Sequence, residues 1–121
     1  MTKIAAPLLA LLVAAAPASA AMTVGTFVAK ANAMRANPLT ALISPDYTTL
    51  RDEARAATAQ LKADNAARKA AGKAPIACVP DGQKIQITEM LDGLAALPAA
   101  QQKRPLKDGY AAVLARRFPC R

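Results

Sequence analysis

Cys78-Val79-Pro80-Asp81-Gly82 opens the C-terminal third of this chain and Phe118-Pro119-Cys120-Arg121 closes it. Between the two phrases the apolar residues recur at helical spacing. Ile87, Met90, Leu91 and Leu94 share one helix face, and Leu106, Tyr110, Val113 and Leu114 share another. Pro98 stops the first of these helices after Leu97, and Pro105 starts the second after a polar link over residues 99–104. Phe118-Pro119 ends that second helix and carries Cys120 back toward Cys78, so one disulfide can tie the two helices together. Lys84-Ile85-Gln86-Ile87 alternates like a short strand, but no second strand exists to pair with it, and it reads as an extended lead-in.

Working back toward the N-terminus, Thr23 is a good N-cap, and Val24, Phe27, Val28, Ala31 and Met34 follow on one face of a helix that ends near Asn37-Pro38. Residues 38–43 have room for one more short turn. Ser44-Pro45-Asp46 then restarts the chain with an N-cap, a proline at the first helical position and an acid in the first turn. A long helix is expected from Pro45 to about Ala71, stopped by Gly72, with Tyr47, Leu50, Ala54, Ala57 and Leu61 as its inner stripe. Beyond Leu61 its apolar positions are alanines, which favour helix but bury little, so that half is expected to project into solvent with an Asp64–Arg68 pair. Gly72 to Gly82 forms the main loop. The fold class is therefore all-α, a small four- to five-helix domain over residues 21–121, with Phe27, Val28, Tyr47, Leu50, Leu91, Leu94, Tyr110, Val113 and Leu114 as its core.

Ahead of this domain, Lys3, the apolar run Ile4 to Ala16 and the small-x-small ending Pro17-Ala18-Ser19-Ala20 have the three regions of a signal peptide over residues 1–20. The run is shorter than the roughly 20 residues a membrane-spanning helix needs, so cleavage after Ala20 and a periplasmic or secreted location are expected, without stable membrane insertion. An oxidising compartment favours the Cys78–Cys120 disulfide. In a domain of this size, where burial leaves a thin margin, closing a loop of some 40 residues removes about 4 kcal/mol of unfolded-state entropy.

The formal charge is +8, one less once Lys3 leaves with the leader. Single-strand nucleic-acid readers need aromatic platforms, and the chain has two Phe, two Tyr and no Trp, at positions that core packing explains, so nucleic acid is not an expected partner. Arg68, Lys69 and Lys73, with Lys103 and Arg104, are the basic residues placed to meet another protein, against a background in which such faces are simply solvated. There is no His, and Ser44 is the one serine after residue 20, which leaves no nucleophile–base pair and no metal-ligand set. Glu89 and Asp92, three apart on one face, are the carboxylate pair that could share a site, and nothing in the sequence sets a base beside them. The expected protein is non-catalytic and needs no cofactor; a homodimer stays open.

The phrase Cys78-x-Pro-x-Gly, the helix ending Leu94-x-x-Leu97-Pro98 and the closing Phe118-Pro119-Cys120 resemble the C-terminal half of the Rap/Tai family of small periplasmic proteins, and Met22 to Val28 is similar to that family's first helix. That family's further cysteines and its glycine-and-tyrosine turn have no counterpart between Ala29 and Gly72, where the alanine-rich helix stands instead. The resemblance implies a helical fold and immunity against a toxin injected by the type VI secretion system, achieved by binding a peptidoglycan-cleaving enzyme. A second resemblance, to the Hde-type acid-stress chaperones, rests on small size, helices and one disulfide. Those proteins switch through carboxylates, whereas this chain has eight acids against sixteen bases.

Intact-mass measurement on protein recovered from the periplasm is expected to show a chain lacking residues 1–20 and two hydrogens light, with no thiol open to alkylation. Reduction should cost a few kcal/mol of stability, as the loop length requires. A retained leader or an alkylated Cys78 sinks this covalent assignment.

Overall fold

The computed structural model describes residues 21–121; the expected signal peptide, residues 1–20, lies outside the described residues. Thr23 and Ser44 begin two helices as expected: the Thr23 side chain accepts from the Thr26 N–H at 3.2 Å and Ser44 from the Asp46 N–H at 3.2 Å. The helices among the described residues are α1 (Val24–Ala36), α2 (Pro38–Ala41), α3 (Pro45–Ala70), α4 (Ile87–Ala95), α5 (Ala99–Gln102) and α6 (Leu106–Arg117). The fold is all-α, four principal helices with two single-turn pieces. Residues 84–86 are the extended lead-in that the sequence implies.

Two glycines end segments by adopting the left-handed conformation that only they reach without strain, Gly72 at φ 71° and Gly82 at φ 78°. At Gly72 the Lys73 N–H donates to the Arg68 carbonyl at 2.8 Å and the Gly72 N–H to that of Lys69 at 3.1 Å, which satisfies the free carbonyls of α3 in a Schellman arrangement. Cys78 and Cys120 form the disulfide, with Cα atoms 5.0 Å apart. The Cys78 N–H also donates to the Phe118 carbonyl at 2.9 Å, so the loop is held to the end of α6 by a backbone bond as well as a covalent one.

α1, α4 and α6 converge on one apolar cluster in which Val24, Leu94 and Leu106 are fully buried, and α3 lays Leu50 and Ala57 against it. Phe27, Leu91 and Val113 are buried as expected, while Val28, Tyr110 and Leu114 are partly buried around them. The start of α1 is pinned to the start of α6: the Val24 N–H donates to the Arg104 carbonyl at 3.0 Å and the Leu106 N–H to that of Met22 at 2.9 Å. The first residues after the expected cleavage point are thus integral to the fold.

Three local expectations change. Residues 99–104 are not a plain link, because α5 lets the Gln102 side-chain amide donate to the carbonyls of Leu94 at 2.7 Å and Leu97 at 3.1 Å, capping α4. The second half of α3 does not project freely: Asn65 accepts from the Ile76 N–H at 3.0 Å, Arg68 donates to the Ala74 carbonyl at 2.6 Å, and Asp64 pairs with Lys107 on α6, not with Arg68. The loop folds back along α3 because an alanine surface leaves room for backbone to approach. Tyr47, expected in the core, is 40% exposed.

Leu94→Ala is expected to cost about 2–5 kcal/mol, as buried leucine truncations do. Gly109→Ala should cost about 1–3 kcal/mol or more through overpacking, since a Cβ there would meet the side chains of Val24 and Leu94. Lys69→Ala, at an exposed position, should change stability by no more than about 0.5 kcal/mol. Chemical denaturation checks all three, and equal losses at Leu94 and Lys69 would show the burial pattern to be wrong.

Candidate functional site

An open groove of about 870 Å³ lies between α1, α3 and α4, with Tyr110 of α6 at its edge. Its floor is made by Phe27 and Ala31 of α1, Leu50 and Ala54 of α3, and Met90 and Leu91 of α4. These are the same side chains that form the edge of the core, so the groove is a continuation of the hydrophobic interior to the surface. Its lips are large and bare: Leu42 is 74% exposed, Ile87 79% and Tyr47 40%. Just outside, Leu39 is 93% and Ile43 83% exposed on the short turn around α2. Scattered exposed aliphatics are normal on a protein surface, whereas a contiguous set around a concave floor marks a place where something binds.

The charged residues lining the groove are Arg35, Arg51, Arg55 and Lys62, with no acid among them. Arg51, Arg55 and Lys62 stand at i, i+4 and i+11 along α3, which puts them in one stripe beside the apolar one. Arg35 faces them from the end of α1. Arg35 pairs with Asp92 at 3.4 Å and Arg51 with Asp52 at 3.6 Å, both exposed, while Arg55 and Lys62 make no ion pair among the described residues.

The basic residues singled out from the sequence lie elsewhere. Arg68, Lys69 and Lys73 are exposed at the end of α3 and the turn after it; Lys103 and Arg104 are exposed between α5 and α6, with Arg104 paired to Asp108 at 3.3 Å. These are two clusters on separate elements, and none of the five lines the groove. Grouping basic residues by sequence neighbourhood passes over the α3 stripe; grouping them by helical period finds it.

The carboxylate pair is split by its partners. Glu89 accepts from Arg117 of α6 at 2.6 Å and Asp92 from Arg35 of α1 at 3.4 Å, so each ties α4 to a different neighbour. Exposed pairs of this kind contribute about 0–1 kcal/mol each. No group of three or more metal-ligating residues occurs among the described residues, and no helix among them is long and apolar enough to cross a membrane.

Tyr110 closes the groove from the α6 side, packed edge-on against Phe27 with ring centroids 6.3 Å apart. Burial pushes its phenol above the ordinary value of 10.0. The folded protein then keeps this proton to higher pH than the unfolded chain does, so its contribution to stability is complete below pH 10.0 and declines as pH rises past that value. Tyr110→Phe is expected to flatten the fall in stability measured by denaturation above about pH 10, and an unchanged slope would place that tyrosine in contact with water.

No family model, curated protein or solved structure matches this chain.

Proposed function

We propose that this chain is an exported, non-catalytic binding protein that captures a protein partner stoichiometrically in the groove between α1, α3 and α4. The observation that carries the reading is the open groove itself, apolar along its floor and bare at its lips, with cations as the only charged residues in its lining. A surface of this kind gains by being covered, and at about 25 cal/mol for each Å² of apolar area removed from water, a few hundred Å² amounts to several kcal/mol before association costs. The disulfide and the Gln102 cap hold α4 and the end of α6 in place, so little ordering entropy is lost when a partner docks.

The proposed role involves no catalysis. The chain has no His, and Glu89 and Asp92 are each engaged by an arginine from a different helix. Immunity to a cell-wall-degrading toxin is the form that the Rap/Tai resemblance gives to stoichiometric capture, with the periplasm as the location. An Hde-like stress chaperone is the alternative, and it makes a different demand: acid must release the binding-competent state.

Co-expression in the periplasm with a cell-wall-degrading toxin candidate encoded by an adjacent gene is expected to yield protection and a one-to-one complex on size exclusion. Ile87→Asp with Leu42→Asp, at bare positions, should weaken that complex at least about tenfold, or 1.4 kcal/mol, without loss of stability. Arg68→Glu with Lys69→Glu should change it far less. Protection without a complex, turnover by the purified protein alone, or a chaperone activity that appears only on acidification each overturns the reading.

A further inference from the structure

We infer that the groove's occupant is an amphipathic α-helix of the partner protein that carries carboxylates along one edge. This rests on the reading of the groove as a protein-docking site and adds the chemistry of what docks. The first ground is size. From Tyr47 to Lys62 the α3 wall runs about 22 Å at 1.5 Å per residue, the length of a helix of about four turns. The groove is open along one side, so a helix some 10 Å across can lay one face on its lining and keep the other in solvent.

The second ground is charge. Arg51 and Lys62 are about 16 Å apart along α3 by helical rise, with Arg55 between them and Arg35 on the facing wall. A ligand that answers these cations needs negative charges distributed along its length. Carboxylates at i, i+4 and i+11 of a helix lying along α3 meet that need while its leucine-type face covers Leu50, Ala54 and Met90, the helix-in-groove mode of recognition. A fatty acid or lysolipid carries its charge at one end and answers one cation. A second copy of this chain brings its own net positive charge, +8 in full and one less without Lys3, to a groove with no acid in its lining, so self-association works against like charge.

The probe is a stapled, fluorescein-labelled helical peptide of about 15 residues, with a leucine and alanine face and glutamates at i, i+4 and i+11; a twin carries lysines at those positions. Anisotropy should show the acidic peptide binding at least about tenfold more tightly than its twin, with affinity falling as salt shortens the Debye length below about 10 Å. Arg51→Glu with Arg55→Glu should reverse the order of the two peptides while circular dichroism and the melting temperature stay unchanged, because both side chains are exposed. Neither palmitate nor vesicles of anionic phosphatidylglycerol should displace the peptide, and sedimentation should show a monomer.

Equal binding of the twins, no reversal in the double variant, displacement by either lipid, or a dimer that blocks the peptide overturns the inference. Should that happen while the aspartate variants at Leu42 and Ile87 still weaken the complex with the whole partner, the docking reading stands and the acidic helix alone is wrong. If those variants leave the whole-partner complex intact, the groove itself is the wrong surface and both fall together.

Discussion

Where α6 meets α1 and α4, Gly109 presents bare backbone, and the side chains of Val24 and Leu94 occupy the space a Cβ would need. The rest of the fold depends on this approach. It lets Val24, Leu94 and Leu106 reach full burial in a domain too small to have a second core, and it sets how close α6 lies to the other two helices. The backbone bonds that pin Met22 and Val24 to residues 104–106 lie next to the same point, so the chain's start and its last helix are fixed together. Gly93 acts in the same way between α4 and α6, where a Cβ would crowd the Val113 side chain.

From that junction the remaining stability is built by local devices, each of modest size. The Schellman end of α3, the Gln102 cap on α4 and the caps at Thr23 and Ser44 each satisfy backbone groups that would otherwise compete for water. The disulfide acts on the unfolded chain by shortening its reach, while the packing acts on the native state. The six ion pairs among the described residues are exposed or partly buried and join separate elements or near neighbours; they orient helices more than they hold them.

The groove follows from an imbalance in this arrangement. Apolar residues from three separate segments, Leu42 after α2, Tyr47 at the start of α3 and Ile87 at the start of α4, stand at its edge with no element packed over them. These residues are apolar by sequence and exposed by packing. Periodicity puts Tyr47 and Ile87 on inner faces, because it reports which face of a helix is apolar and not whether anything lies against it.

Much of the architecture was legible in the chain by itself: the caps, the proline starts, the two left-handed glycines and the helical spacing of Leu91, Leu94, Tyr110 and Val113 are local signals, and local signals place helices. The pairing of Cys78 with Cys120 was legible too, since two cysteines allow one partnership. Tertiary structure decided the rest. Gln102 became a cap because α5 turned it toward the end of α4, Asp64 found Lys107 across the helix interface in place of Arg68 one turn away, and Arg51, Arg55 and Lys62 became one wall of a groove. Each of these depends on distances between segments far apart in the chain, and such distances are set by how side-chain volumes fit at Gly109 and its neighbours, a property no single helix carries in its own sequence.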